Sequence, residues 1–333
     1  MKYRMFAFLI VALVVLNLGA PTFADSKRAK AGANDLVAFL PASDAVSVID
    51  SKRFFTEALP KLLANNPALL KEINSKIDDS KVRIGIDLRE FDSLAIGATT
   101  HRVSEKNYDI DPVLIGRGQM GSSALIGAAK LASNGKYREE HVGERVMYIF
   151  DLPAVVAPGT FLDRMTEIAV AALDTKVIAF GKVARVRQTL EGKTRVSADL
   201  VAMLERNLSA VGAFAIKPPS GLKDYLPLEN DELGKNIDSV QYLYGSATVG
   251  ANDATLHVTA RTLQDAQAKS LYDTLEGLQM LGKAFLGAAK AADKQVYARM
   301  IENVKFAAKG NEVTFDLAVP QSDIDILVGM IGK

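Results

Sequence analysis

The sequence predicts an α+β fold, in which mostly antiparallel sheets carry helices packed on one side. Short apolar segments occur in pairs joined by tight turns, as in 137–152, which turns at Gly143, and in 304–317. Such pairs are typical of hairpins and therefore of antiparallel strands. Other segments have apolar residues at helical spacing, most clearly in the stripe from Leu271 to Phe285. The combination favours hairpin sheets with helices over alternating parallel units.

The first half of the chain supplies these elements in a regular order. Asp50 or Ser51 can cap a helix, because either side chain can accept from free amides of the first turn. Pro67 after Asn66 can start the next helix. In chain order the pattern predicts strands at 37–40 and 45–49, helices starting near 51 and 67, strands at 94–100 and 113–118, a helix at 122–132, a hairpin at 137–152, a strand pair within 168–180, and helices at 183–191 and 198–206.

The second half repeats this order, which predicts an internal duplication into halves at 35–207 and 208–333. Its predicted elements are a strand at 210–216, a loosely helical stretch at 222–233, strands at 240–249 and 254–262, the long helix with the 271–285 stripe, a hairpin at 304–317 turning at 309–311, and a helix at 323–331. Two short echoes agree with a repeat. They pair 91–94 with 237–240 and 150–152 with 315–317.

Residues 1–24 have the pattern of a signal peptide rather than of a folded element. Lys2 and Arg4 precede an apolar run at 5–16, and small residues end at Ala24, where a signal peptidase would cut. The run is shorter than the roughly 20 residues that a membrane-spanning helix needs. We expect a periplasmic or secreted protein with a flexible lead-in at 25–34 and no transmembrane anchor after cleavage.

Composition excludes several classes of chemistry. The chain has no cysteine, which excludes disulfides, thiolate catalysis, zinc–thiolate sites and iron–sulfur clusters. It has 40 basic and 39 acidic residues, and removing Lys2 and Arg4 leaves 38 against 39, so charge is balanced. Without a basic stripe, we expect no nucleic-acid partner.

One glycine motif bears on whether the chain binds a dinucleotide cofactor. Gly116 to Gly121 matches G-x-G-x-x-G between a predicted strand and a predicted helix, the context of a dinucleotide-binding turn. However, the following segment reads as a hairpin rather than as a second parallel strand. The equivalent junction of the second half, at 260–265, has no glycine. We therefore interpret these glycines as easing a strand-to-helix turn and expect no cofactor.

Metal and nucleophile motifs are equally weak. The histidines and acidic pairs lack the spacing of a metal-binding motif, so we expect no metal site. These residues are His101, His141, His257, Asp78–Asp79, Asp109/Asp111 and Asp323/Asp325. S-x-x-K occurs at Ser133/Lys136 and Ser220/Lys223, but neither serine starts a predicted helix and no partner motif follows. The catalytic residues of any enzyme activity therefore stay unassigned.

Three segments carry a resemblance to a known group of proteins. Residues 39–44 (FLPASD), 85–92 (GIDLREFD) and 135–140 (GKYREE) resemble a family of exported bacterial proteins, found in soil bacteria such as acidobacteria, that has no assigned function. The resemblance covers most of the chain after the leader and implies a bacterial envelope setting. It brings no catalytic residues.

Two hypotheses follow for function. The first is a non-enzymatic envelope protein with a binding or structural role, whose partner is a lipid or other apolar ligand, or an envelope protein. The second is an exported hydrolase whose site residues are dispersed in sequence. The 271–285 stripe favours core packing but would also suit an apolar groove.

Overall fold

The protein is an α+β structure, as the sequence predicts, built on one large antiparallel sheet. The structure, a computed structural model, describes residues 35–84, 87–104, 107–152, 165–206, 210–219, 231–287 and 292–331. The predicted leader and the lead-in lie outside these residues. So does most of the helical stretch predicted at 222–233.

Twelve strands form the sheet within the described residues, and every pairing between neighbours is antiparallel. The strands are β1 (Ala45–Ile49), β2 (Phe91–Ser104), β3 (Asn107–Gly118), β4 (Tyr137–Val142), β5 (Arg145–Asp151), β6 (Glu167–Asp174), β7 (Val177–Gly181), β8 (Gly212–Ile216), β9 (Val240–Val249), β10 (Asp253–Thr262), β11 (Lys305–Lys309) and β12 (Glu312–Pro320). Their spatial order is β11-β12-β10-β9-β8-β1-β2-β3-β7-β6-β5-β4.

The order runs outward from a central pair. β1 and β8 pair with each other, with Ala45 opposite Ile216. On one side follow β2, β3, β7 and β6, and on the other β9, β10, β12 and β11. Moving outward, each side thus has two strands in chain order and then a hairpin whose second strand lies nearer the centre. The hairpin of β4 and β5 extends the first side only. The predicted boundary between the two halves, at 207/208, lies just before β8. That the halves arose by duplication stays a prediction.

Helices connect and cover the strands. They are α1 (Ser51–Arg53), a π-helical turn (Phe54–Ala58), α2 (Leu59–Leu62), α3 (Pro67–Ile84), a 3-10 turn (Leu88–Glu90), α4 (Ser122–Ala132), α5 (Val183–Glu191), α6 (Ala198–Glu205), α7 (Asp231–Asp238), α8 (Asp265–Leu286), α9 (Ala292–Asn303) and α10 (Gln321–Ile331). The predicted starts are confirmed by their caps. The Asp50 carboxylate accepts from the Arg53 amide at 3.0 Å, and the Asn66 side chain accepts from the Leu69 amide at 3.1 Å.

The helices lie on both faces of the sheet, whereas the sequence pattern placed them on one side. Ile149 packs in a cluster with Val186 of α5, while the next residue, Phe150, packs in a cluster with Leu125 of α4. Because successive strand residues point to opposite faces, these are two different layers. The central strands have apolar residues at consecutive positions, as in Val113–Ile115, so both faces need cover.

The strand predicted at 37–40 is wrong. Residues 35–37 form a helical turn, and the amides of Phe39 and Leu40 donate to the carbonyls of Leu36 and Val37 at 3.1 and 3.0 Å. This turn places Leu36 and Leu40, both fully buried, in the core cluster under α5 and α6. The two buried leucines are four residues apart, so burial in this segment follows helical spacing rather than the alternation of a strand.

One helix, α9, has no counterpart in the sequence prediction. Residues 293–295 are charged or polar, and among the side chains of α9 that the structure describes only Val296 and Ala298 are buried. The apolar signal is too sparse to separate a helix from a loop. The turns, in contrast, were predicted correctly. Gly143 and Gly310 have φ of 61° and 58°, the left-handed region that favours glycine.

Candidate functional site

The most distinctive surface of the described protein is an exposed apolar face on the long helix α8. Leu278, Leu281 and Phe285 are 43, 57 and 81% exposed. Their spacing of three and four residues places them on one side of the helix. We call these three residues the α8 apolar face.

The face continues a stripe that begins in the core. Leu271 is buried and packs with Ala268 and Val313 of β12, and Leu275 is partly buried against the same cluster. Helix α8 has 22 residues and is therefore about 33 Å long at 1.5 Å per residue. Along the stripe, exposure rises from Leu271 in the core through Leu278 and Leu281 to Phe285. The sequence prediction of core packing is confirmed at the first turns and is wrong at the last ones.

The exposed turns are fixed to the rest of the fold from their opposite side. The Gln279 amide donates to the carbonyls of Ile301 and Val304 at 2.7 and 2.8 Å. Gly282 lies against Ile301 of α9, whose side chain is 3.0 Å from the position of an added Cβ. The apolar face is thus held outward by α9, because the neighbouring helix occupies the other side.

The last turns of α8 lie in a segment of the sequence without acidic residues. Residues 277–292 contain no aspartate or glutamate, and their charged residues are Lys283 and Lys290. Lys283 is exposed in the last turn of α8, where a cation also favours the helix dipole. Helical spacing puts Lys283 on the other side of α8 from Leu278, Leu281 and Phe285, so α8 has an apolar side and a basic side here, the pattern of a helix that lies in a membrane interface.

A second feature is a buried polar network beneath α6. The Tyr244 side chain is only 2% exposed, and its hydroxyl donates to the Glu312 carboxylate at 2.8 Å. Arg261 donates to the same oxygen at 2.9 and 2.6 Å, and Arg206 donates at 3.1 Å. Burial alone raises the pKa of Glu312, but the hydrogen bonds and charges of its partners outweigh it and lower the pKa. A carboxylate held ionised in this way is a structural link rather than a proton donor.

Adjacent strands also place a histidine beside an acid. His257 Nδ1 lies 2.5 Å from Asp316 Oδ1, and His257 Nε2 lies 3.5 Å from Thr259 Oγ1. Ser246 is the register partner of His257 on β9. A Ser–His–Asp relay needs a buried acid and a nucleophile open to substrate. Here Asp316 is 53% exposed and Thr259 is buried, so the geometry is that of a surface pair.

The sheet brings together one of the acidic pairs and another histidine. His101 Nε2 lies 3.0 Å from Asp111, and Lys182 contacts Asp111 and lies 3.1 Å from Asp109. Burial alone lowers the pKa of Lys182, but the two carboxylates outweigh it and raise the pKa. A lysine nucleophile or base needs the opposite shift. This cluster therefore ties β2, β3 and β7 together at one end.

The remaining candidate residues are dispersed. His141 lies on β4 at the far edge of the sheet. Ser133 Oγ donates to the Lys130 carbonyl and Lys136 is exposed, while Ser220 and Lys223 lie outside the described residues. Asp78 pairs with Arg89, and Asp323 pairs with Arg299. Among the described residues no group of three or more His, Asp or Glu side chains could hold a metal ion.

The glycines of the G-x-G-x-x-G match have packing reasons. A Cβ on Gly116 would overlap the Phe91 ring, and one on Gly118 would lie 2.7 Å from the Glu90 carbonyl oxygen. β3 pairs antiparallel with β2 and β7, so the motif does not follow the first strand of a parallel βαβ unit. Close packing accounts for both residues without a phosphate.

Comparisons with known proteins give matches by structure only. No family model and no curated protein matches the chain. Crystal forms I, III and IV of TP0453 match with TM-scores of 0.44, 0.45 and 0.44 and sequence identities of 12, 10 and 11%. The matches cover 88, 88 and 90% of this chain and 96, 97 and 98% of the TP0453 chains. In the part of the chain that the structure describes, no helix is both long and apolar enough to cross a membrane.

Proposed function

We propose that this protein is an exported, non-enzymatic bacterial envelope protein that binds an anionic lipid surface through the α8 apolar face. The observation that carries the proposal is the outward stripe of Leu278, Leu281 and Phe285 on a helix fixed from behind. Single exposed apolar side chains are ordinary, but a contiguous stripe marks a binding surface. The lipid surface is chosen over a protein groove because lysines are the only charged residues in 277–292.

The expected affinity is that of reversible binding. Covering side chains that are already partly buried gives about 3–5 kcal/mol for the three residues together. A lysine near an anionic surface adds about 1 kcal/mol. The sum, about 4–6 kcal/mol, corresponds to a dissociation constant between about 0.04 and 1 mM in accessible lipid. We therefore expect a peripheral protein that exchanges between membrane and solution.

Export is the second part of the proposal. It is supported by the signal-peptide pattern of 1–24 and by the resemblance to exported bacterial proteins. Intact-mass measurement on protein recovered from the periplasm or medium of a bacterial host tests it. Loss of residues 1–24 is expected. Protein that keeps this segment and stays in the cytoplasm contradicts export.

The internal duplication is also proposed, on the shared strand order around β1 and β8. Superposing the two sides tests it. We expect β1, β2, β3, β7 and β6 to align with β8, β9, β10, β12 and β11. Helices α4 and α8 should then occupy equivalent places, and a failure to do so argues for chance similarity.

Vesicle flotation tests the lipid-binding role directly. The protein should float with vesicles rich in phosphatidylglycerol and remain mostly unbound with phosphatidylcholine vesicles. Phe285→Ser should weaken binding about tenfold by removing the most exposed apolar side chain. Lys283→Glu should selectively reduce the preference for anionic vesicles, because it reverses the charge in the last turn of α8.

A matched control distinguishes binding through the α8 apolar face from nonspecific binding by any exposed apolar side chain. Leu131 is 80% exposed on α4, so Leu131→Ser removes an equally exposed apolar side chain from a different helix. We expect Leu131→Ser to float like the wild type. Equal losses for Leu131→Ser and Phe285→Ser, or no flotation of the wild type, would overturn the proposal.

A further inference from the structure

A shallow cavity of about 420 Å³ lies between helix α4 and strand β5, away from the α8 apolar face. Its floor is made of small residues. Gly127 of α4 has no atom within 4 Å of an added Cβ, so the space above it is open. Ala172 of β6 continues this floor. Cavities of this size suit small molecules.

The walls of the cavity combine apolar and cationic groups. Ile126 of α4 and Val146 of β5 supply apolar surface. Lys130 and Arg145 also line the cavity. A pocket with an apolar floor and two cations at its wall fits a ligand that has an apolar part and a negative group.

The two cations differ in how they are held. Lys130 Nζ lies 3.9 Å from the Tyr148 ring centroid and 4.7 Å from that of Tyr137, and it donates to Glu139 at 3.3 Å. Lys130 is therefore fixed and already partnered. Arg145 is exposed and, within the described residues, its side chain has no hydrogen bond, ion pair or ring contact. Its guanidinium keeps all its donors for a ligand.

We propose that this cavity binds an aliphatic monocarboxylate of medium chain length. The carboxylate pairs with Arg145, whose planar fork matches two carboxylate oxygens, and Lys130 adds positive charge beside it. The chain lies over Gly127, between Ile126 and Val146. This site is separate from the α8 apolar face, so the proposal goes beyond membrane binding.

Calorimetric titration of the purified protein with octanoate, acetate and octanol tests the two parts of this recognition. Acetate has only the charged group, and octanol has only the chain. Octanoate should bind at least about tenfold more tightly than either, because both parts contribute. If octanol binds as well as octanoate, the charge plays no part and the proposal fails.

Two variants locate the site. Arg145→Gln should weaken octanoate binding about tenfold or more, since it removes the bidentate charged partner. Gly127→Leu should abolish binding by filling the cavity. Gly329→Leu is the matched control, because Gly329 is also a helical glycine with nothing within 4 Å of an added Cβ. It should bind octanoate as the wild type does.

Circular dichroism of each variant confirms that it is folded before titration. A folded Gly127→Leu variant that binds octanoate unchanged would show that the ligand binds elsewhere and would overturn the proposal. Unchanged affinity in Arg145→Gln would do the same. Vesicle flotation of Gly127→Leu should remain at the wild-type level, so failure of this site and failure of lipid binding by α8 are distinguishable.

Discussion

Replacing Glu312 with glutamine should reveal how the buried polar network joins α6 to the second side of the sheet. Glu312 accepts from Tyr244 and Arg261 of two neighbouring strands and from Arg206 at the end of α6. Glutamine keeps the shape of the side chain but removes its charge. Its amide group also adds donors in a place where Arg261 and Arg206 already supply them.

The size of the effect follows from the partners. A hydrogen bond to a charged group is worth about 1 kcal/mol more than a neutral one. Arg261 and Tyr244 are both at least partly buried, and the hydrogen bond that each donates to residue 312 should weaken by about this amount in the variant. Arg206 is 50% exposed, and solvent screening makes its share small. We expect Glu312→Gln to lower the free energy of unfolding by about 2 kcal/mol at neutral pH.

The effect should depend on pH in a defined direction. The folded-state pKa of Glu312 lies below its ordinary value of 4.5. The ionised carboxylate therefore stabilises the protein fully above that value, and the contribution is lost as the pH falls through the lower folded-state pKa. The difference in stability between wild type and Glu312→Gln should narrow on acidification below about pH 4.5.

Urea unfolding followed by circular dichroism at neutral pH and at acidic pH measures both effects. Glu205→Gln is the control, because Glu205 is an exposed glutamate in the same helix end, next to Arg206. It should change stability by less than about 0.5 kcal/mol. If the Glu312→Gln difference equals that of Glu205→Gln, or stays constant on acidification, the network does not act as described.

Three further predictions concern single buried features, each measured by urea unfolding. Arg299→Ala should destabilise the fold, because the Asp323 carboxylate, 2% exposed, loses its ion-pair partner. Adding Asp323→Asn should recover part of that loss, and strict additivity would argue against coupling. Gly181→Ala should cost more than about 1 kcal/mol, since φ is 149° and a Cβ would lie 2.7 Å from the Pro112 oxygen. Leu40→Ala should cost about 3 kcal/mol if the N-terminal turn belongs to the core, and a near-neutral result would contradict that packing.

Local features of the fold were predictable because they depend on neighbours in sequence. The hairpin at 137–152 was predicted with its turn, since glycine at 143 allows the left-handed conformation there. The helix at 122–132 was predicted with both its ends. The strand predicted at 37–40 failed, because a short apolar run suits either alternation or a helical turn. Contact with α5 and α6 decided between them.

The candidate sites were much less predictable. The apolar stripe of α8 was visible in the sequence, but its periodicity is the same whether the stripe is covered or open. The absence of acidic residues from 277–292 was the one local signal that set its last turns apart from an ordinary solvent-exposed helix. The cavity over Gly127 gave no signal, because its walls come from α4, β5 and β6.

The sequence by itself determined the α+β class, the hairpins and the helix caps, together with the chemistries that a chain without cysteine cannot perform. Tertiary structure alone decided the strand order around β1 and β8, the cover on both faces of the sheet, and the exposure of Leu278, Leu281 and Phe285. The reason is physical. Turn and cap preferences are set by nearby backbone groups, whereas burial depends on which distant segments pair across the sheet.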